Sequence, residues 1–176
     1  MSLTNAELAI LGLVAEGPSH GYEIERRIEE RGMREWTEIG FSSIYFLLKK
    51  LMARGLVEQA TADAANPRAR KTFRLTTAGL ALHPEETRRA IAEPRPVFPA
   101  LLVGLANWPA LPSEIATTAL DERSAALAAE LTRLRQKRDA GEPLPPFVVA
   151  LFDYSLTMIE AERAWLEKAR TTLERA

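Results

Sequence analysis

The sequence predicts a mainly helical (α+β) protein in which three helices and a two-stranded β-hairpin precede a second, all-helical domain. Up to residue 55, segments with the apolar periodicity of a helix end at glycine or at Gly-Pro. Two short segments containing β-branched or aromatic residues then flank a polar, alanine-rich stretch, which is typical of a hairpin. After Glu93-Pro94-Arg95-Pro96 every segment again has helical periodicity. We therefore expect two domains, residues 1–93 and 94–176.

The composition is that of a folded protein with one local excess of positive charge. The 176 residues are 47% hydrophobic and include no cysteine, and no apolar run reaches the ~20 residues of a membrane span. We therefore expect a cytoplasmic protein with no membrane partner. The net charge is −1, yet residues 41–76 contain seven basic and two acidic side chains. A protein that binds a specific DNA sequence needs such a basic face and not a basic chain.

The first two helices are predicted to pack their apolar faces together. Residues Thr4 to Glu16 have helical periodicity and can begin with a capping box between Thr4 and Glu7. The second helix is predicted from about His20 to Arg31, and Trp36 after it is predicted to fill the core. The inward side chains are expected to be Leu8, Ile10, Leu11, Leu13, Val14, Tyr22, Ile24 and Ile28.

The third helix is predicted to begin at a serine cap and to end at Gly55. Its apolar stripe would consist of Ile44, Phe46 or Leu47, Leu48 and Leu51. Its other face offers hydroxyl and ammonium groups from Ser42, Ser43, Tyr45, Lys49 and Lys50. A helix with such a face fits the major groove, where base edges differ in their donors and acceptors and lysines neutralise phosphates. An ordinary solvated helix would also carry two lysines, so this helix alone leaves both interpretations open.

The hairpin is predicted from strands at Leu56–Ala60 and Lys71–Leu75. Three helices followed by a hairpin is the order of the winged helix-turn-helix fold. Basic side chains at the end of the loop can approach a DNA backbone or a minor groove, and they can equally protect an edge strand from aggregation. These side chains are Arg68, Arg70 and Lys71.

A fourth helix is predicted to begin at Thr76 or Thr77. We expect Pro84 to interrupt and restart it, because a proline inside a helix costs about 3 kcal/mol. The second domain is predicted to contain helical segments at 97–107, 113–120, 121–140 and 147–173, where Asp121 would cap the third of them.

The last helix carries a broad apolar surface that predicts a homodimer. One seam recurs at spacings of four and three residues and comprises Phe147, Leu151, Tyr154, Met158 and Trp165. A second stripe comprises Val148, Phe152, Leu156, Ile159 and Leu166. The preceding helix can cover part of this surface with Ala126, Leu127, Leu131 and Leu134. We expect the remainder to meet a second copy of the chain, and a monomeric helical bundle is the alternative.

Three segments, in order, resemble the PadR family of transcriptional regulators. The second helix begins with His20-Gly21-Tyr22-Glu23. The third helix reads Ser42-Ser43-Ile44-Tyr45-Phe46-Leu47-Leu48-Lys49-Lys50-Leu51, and Arg54-Gly55-Leu56-Val57 follows it. The hairpin ends in Arg70-Lys71-Thr72-Phe73-Arg74-Leu75-Thr76, with Gly79 after it. The chain departs from the family's pattern at Phe73, where the family has tyrosine, and at Pro84, in a helix that is usually continuous.

The resemblance implies a transcriptional regulator that binds double-stranded DNA and forms a homodimer through its C-terminal helices. Two reading helices about 34 Å apart would recognise a palindromic operator, and we expect the protein to repress by occupying it. A small molecule, often a phenolic compound, would release it. The DNA contacts that the resemblance implies are Tyr22, Ser42, Ser43, Tyr45, Lys49, Arg70 and Lys71, and the local charge adds Lys50 and Arg68. Aromatic side chains that either line a ligand pocket or form ordinary core are Trp108, Phe147, Phe152, Tyr154 and Trp165.

Two other classes of function are compatible with a small helical protein. An enzyme is not expected, since the chain has two histidines, no cysteine and no glycine-rich phosphate loop, and we expect no cofactor and no metal. A winged helix that binds a protein partner and not DNA is the main alternative, because the fold alone does not decide between them. The salt dependence of DNA affinity distinguishes the two.

Overall fold

The N-terminal elements follow the order of a winged helix. The computed structural model describes residues 2–37, 39–40, 43–61, 71–140 and 143–173, and the chain divides into two units, Met1–Pro96 and Val97–Ala176. The first unit contains α1 (Asn5–Ala15), β1 (Ser19–His20), α2 (Gly21–Glu30), a 3-10 turn (Met33–Glu35), α3 (Ser43–Ala53), β2 (Val57–Thr61), β3 (Lys71–Leu75) and α4 (Thr77–Ala92). The predicted fold class is confirmed.

The hairpin is joined by a third strand that the sequence did not predict. Within the described residues, the sheet has three antiparallel strands in the order β1-β3-β2, with Ser19 opposite Phe73 and His20 opposite Thr72. A strand of two residues is too short to have a recognisable alternation, so only its pairing with β3 defines it. This pairing fixes the start of α2 beside the hairpin.

The core of the first unit is formed by the apolar stripes of α1, α2 and α3. Of the two alternatives in the third helix, Leu47 is buried, whereas Phe46 is 66% exposed. The fully buried aliphatic side chains are Ile10, Leu11, Val14, Ile24, Ile28, Ile44, Leu48 and Leu51. The predicted inward faces are therefore correct for the aliphatic residues.

Two aromatic residues that were predicted to lie in the core are at the surface. Tyr22 and Trp36 are each 47% exposed. In α2, Ile24 and Ile28 define the buried stripe, and a helix turns by about 100° per residue, so Tyr22 lies far round the helix from that stripe, about 160° from Ile24. In the connection between α2 and α3, the side chain that fills the core is Met33 and not Trp36.

Helix α4 is continuous, so the predicted interruption at Pro84 is wrong. Its N-terminus is capped by Thr76, whose Oγ1 accepts a hydrogen bond from Gly79 N at 3.1 Å. Beyond the proline, the carboxylate of Glu86 is buried, accepts a hydrogen bond from Leu3 N at 3.1 Å and pairs with Arg89 at 2.6 Å. Unwinding the helix at Pro84 would break these contacts, which therefore offset the cost of the proline.

The second unit is all-helical. It contains α5 (Ala100–Ala106), a 3-10 turn (Trp108–Ala110), α6 (Ser113–Asp139) and α7 (Pro146–Leu173). The predicted break before Asp121 is wrong: no glycine or proline lies between 113 and 139, and Asp121 pairs with Arg170 at 2.7 Å and caps nothing. No described helix has both the length and the hydropathy of a membrane span.

Helices α6 and α7 pack through the second predicted stripe. Leu131 and Leu134 of α6 are buried with Leu156 of α7, and Phe152 and Ile159 pack against them. Ion pairs flank this contact, including one from Arg135 to Glu160 at 2.6 Å and one from Arg123 to Glu162 at 2.5 Å. The two helices thus form an antiparallel pair that uses one face of α7.

Candidate nucleic-acid interface

The face of α3 that does not contact the core is polar and aromatic. Tyr45 is 62% exposed, and Lys49 lies one turn further along the same exposed face. Within the described part of the chain, neither the Tyr45 hydroxyl nor the Lys49 ammonium has a partner. The Ser43 hydroxyl donates to Gly40 O at 2.6 Å, so it retains only its acceptor capacity. This face can therefore offer a hydroxyl and a cation to a ligand.

The start of α2 brings further predicted residues to the same region. The rings of His20 and Tyr22 are stacked, with centroids 5.6 Å apart, and His20 Nδ1 lies 3.2 Å from Lys71 O. The His20 amide donates to the Glu23 carboxylate at 2.7 Å. This backbone hydrogen bond is the main reason that the pKa of Glu23 lies below its ordinary value.

A shallow cleft of about 530 Å³ joins these elements. Its lining residues are His20, Gly21, Tyr22, Tyr45, Gln59, Lys71 and Phe73. Three of the predicted DNA-contacting residues, Tyr22, Tyr45 and Lys71, are thus brought together although they come from α2, α3 and β3. Phe73 borders the cleft but is buried and packs in the core.

Lys50 lies on the other side of α3, against a buried carboxylate. Glu7 is 1% exposed, and its carboxylate lies 3.1 Å from Lys50 Nζ and 3.3 Å from Arg54 Nη1. It also accepts a hydrogen bond from Thr4 N at 2.7 Å, which confirms the predicted capping box. Glu7 therefore links α1 to α3, a role that sequence patterns do not indicate because the partners are more than forty residues away.

The electrostatics of Glu7 predict an acid-sensitive fold. Burial of the carboxylate opposes its ionisation, but hydrogen bonds from Thr4 and Lys50 outweigh burial, so the pKa of Glu7 lies below its ordinary value of 4.5. A carboxylate with a lowered folded-state pKa contributes stability above its unfolded-state pKa and loses it as pH falls through the folded-state pKa.

We expect Glu7→Gln to lower the free energy of unfolding at pH 7 by roughly 1–3 kcal/mol, because Lys50 and Arg54 lose their charged partner. Urea unfolding at pH 7 and at successively lower pH measures this. The difference between the wild type and Glu7→Gln should shrink as pH falls below the ordinary value of 4.5, where the unfolded chain binds a proton at Glu7, and on through the lower folded-state pKa. As a control, Glu30→Gln removes only an exposed ion pair with Arg26 and should cost less than about 1 kcal/mol. If the difference in free energy of unfolding between the wild type and Glu7→Gln stayed constant down to the pH of acid unfolding, the lowered pKa of Glu7 would be contradicted.

Ion pairs with acidic side chains neutralise part of the positive charge that the sequence places in residues 41–76. Arg74 pairs with Glu58 at 2.7 Å, and Lys50 and Arg54 pair with Glu7. Among the described residues of that stretch, the remaining cations are Lys49 and Lys71, and both are exposed. The predicted contacts Ser42, Arg68 and Arg70 lie outside the described residues.

The predicted dimerisation seam is exposed along α7. The exposed fractions of its side chains are 70% for Phe147, 40% for Leu151, 69% for Tyr154, 53% for Met158 and 40% for Trp165. Because α6 packs on the other stripe, the seam is uncovered within its own unit. No group of acidic or histidine side chains among the described residues could hold a metal ion.

The three helices, the small sheet and the exposed face of α3 define a winged helix-turn-helix protein. Residues 10–83, which lie in this N-terminal domain, match the sequence model of the transcriptional regulator PadR-like family. The resemblance noted in the sequence is thereby confirmed. No curated protein is significantly similar to the chain in sequence.

Solved structures of PadR proteins share the fold over nearly the whole chain. Bacillus subtilis PadR in complex with operator DNA superposes with a TM-score of 0.71 at 21% identity, over 97% of this chain and 99% of that one. Bacillus subtilis PadR in complex with p-coumaric acid gives the same TM-score and identity over 96% and 98%. The PadR-like transcriptional regulator BC1756 from Bacillus cereus gives 0.67 at 16% identity over 97% and 99%. At these identities the likeness shows a shared fold.

Proposed function

We propose that this chain is a sequence-specific DNA-binding transcriptional regulator that represses by occupying a palindromic operator as a homodimer. The observation that carries the proposal is the exposed face of α3, where Tyr45 and Lys49 have no partner among the described residues and share a region with Tyr22 and Lys71. Helix α3 would lie in the major groove. Lys49 would neutralise a phosphate, and Tyr45 would donate its hydroxyl hydrogen to a phosphate or a base.

The α7 seam supports the homodimer. A single recognition helix offers a small interface, whereas two such helices about 34 Å apart read two half-sites on the same side of the duplex. Five exposed apolar or aromatic side chains on one helix face form the kind of patch that marks an interaction surface. A second copy of the chain would cover this patch.

A small-molecule effector and the lack of enzymatic activity belong to the same proposal. The complex of Bacillus subtilis PadR with p-coumaric acid supports a ligand of similar chemistry for this chain, which would favour a dimer geometry that binds the operator less well. A regulator of this kind needs no catalytic residues and works in the cytoplasm, where its operator lies.

The test is a band shift on the DNA directly upstream of the chain's own coding sequence, titrated with salt. We expect a retarded complex with two copies of the chain that resists competitor DNA. The logarithm of its affinity should fall linearly with the logarithm of salt concentration, by about 0.9 for each phosphate neutralised. If the folded dimer shifts neither this segment nor other flanking fragments at low salt, the proposal is wrong, and a protein-binding winged helix becomes the better assignment.

The two neighbouring lysines of α3 should behave differently. Lys49→Ala should weaken operator binding and reduce the salt slope by about one, because it removes one phosphate contact. Lys50→Ala should change the salt dependence of the affinity less than Lys49→Ala does. It should also lower the melting temperature, because Lys50 pairs with the buried carboxylate of Glu7. Salt titrations and thermal melts of both variants measure this. Equal slope changes in the two variants would show that Lys50 leaves Glu7 to contact DNA.

A further inference from the structure

Gly21 leaves no room for a side chain where the ring of Tyr45 lies. A Cβ atom at residue 21 would lie 2.6 Å from Cε1 of Tyr45 and 2.7 Å from its Cζ and its hydroxyl oxygen. These distances are far below van der Waals contact. The end of the Tyr45 ring therefore rests on the backbone at the first position of α2, in the cleft described above.

The exposed position of Tyr45 makes this contact informative. The side chain is 62% exposed, and within the described residues its hydroxyl has no hydrogen-bond partner. Because the side chain is largely exposed and no hydrogen bond to a described residue fixes its direction, contact with the backbone at Gly21 restrains where the hydroxyl points. The stacked rings of His20 and Tyr22 border the same cleft.

We infer that Gly21 is a positioning residue that sets the direction of the Tyr45 hydroxyl for contact with DNA. This inference rests on the proposed function. A larger residue at 21 would push the ring end aside by rotation of the Tyr45 side chain, which costs the fold little because the ring borders solvent. The hydroxyl would then leave the place from which it reaches a phosphate or a base edge, and a displacement of about 1 Å is enough to lose a hydrogen bond.

Gly21→Ala separates this role from a structural one. Gly21 does not have a positive φ angle, and alanine is the better helix former, so α2 should still form. We expect the variant to keep its melting temperature within a few degrees and to bind DNA roughly 10- to 100-fold more weakly, the loss expected for one hydrogen bond to a charged group. Gly12→Ala is the matched control. Its Cβ would lie 3.5 Å from His83 Nε2, which is an ordinary van der Waals contact. The melting temperature and the affinity for DNA should therefore stay as in the wild type.

The decisive experiment is a double-mutant cycle with Tyr45→Ala, which removes the ring that Gly21→Ala would displace. The dissociation constant would be measured by fluorescence anisotropy with a labelled duplex from directly upstream of the coding sequence. If Gly21 acts through Tyr45, Gly21→Ala should have almost no effect on affinity in the Tyr45→Ala background. The inference is overturned if Gly21→Ala binds like the wild type, if it costs as much in the Tyr45→Ala background as alone, or if it unfolds the protein.

A measurement without DNA separates failure of this inference from failure of the proposed function. In the wild type, nuclear Overhauser effects should join the Gly21 Hα protons to the Tyr45 Hε protons, and Gly21→Ala should shift the Tyr45 ring resonances. If these effects are present and the wild type binds no duplex, the proposed function fails while the restraint on Tyr45 stands. If they are absent, the positioning role is refuted even where the wild type binds DNA.

Discussion

Gly79→Ala should strongly destabilise the N-terminal unit. A Cβ atom at residue 79 would lie 2.1 Å from the carbonyl oxygen of Leu56 and 3.1 Å from its carbon. Both atoms belong to the backbone, so no side-chain rotation relieves the clash. The same carbonyl accepts a hydrogen bond from Thr76 N at 3.1 Å, which ties the start of α4 to the residue directly before β2. Moving α4 outward would break this hydrogen bond as well.

The expected loss is about 3 kcal/mol or more in the free energy of unfolding, at the upper end of the cost of overpacking. That loss corresponds to a fall of roughly 10 °C in Tm. Urea unfolding followed by circular dichroism measures it. Gly104→Ala is the control, because nothing lies within 4 Å of a Cβ atom there, and its stability should not fall. If Gly79→Ala were as stable as the wild type, α4 could not approach Leu56 as closely as described.

Met158→Glu should separate the proposed dimer into monomers. Met158 lies in the α7 seam and is 53% exposed within its own unit, so a carboxylate there is solvated in the monomer and would be buried in the dimer. Light scattering after size exclusion should show half the wild-type mass, with unchanged helical content. Operator affinity should fall by about 100-fold or more, because the second half-site no longer binds as part of the same complex.

Ala164→Glu introduces the same charge on an exposed part of α7 outside both stripes. At about 100° per residue it lies on a different face from the seam, so the variant should remain dimeric and keep its affinity. If Met158→Glu remained a dimer, the interface would have to lie elsewhere. If it became monomeric and kept the full operator affinity, dimerisation would not serve DNA binding.

The sequence predicted the parts of the site that lie close together along the chain. The polar face of α3 follows from the positions of Ile44, Leu47, Leu48 and Leu51, because burial of one stripe leaves Tyr45 and Lys49 outside. It did not separate Lys49 from Lys50, which are adjacent in sequence. Both lysines are exposed, but the approach of Glu7 from α1 gives Lys50 a partner, whereas Lys49 has none among the described residues.

The sequence by itself determined the first three helices, the caps at Thr4 and Thr76 and the aliphatic inward faces, because hydrogen bonds such as those between Thr4 and Glu7 join residues three positions apart. The tertiary structure decided whether α4 continues through Pro84, since the cost of that proline is offset by contacts of Glu86 with a residue 83 positions away. It also decided that the backbone at Gly21 meets the ring of Tyr45. Local periodicity carries no information about such contacts, because they depend on how closely two separate elements approach each other.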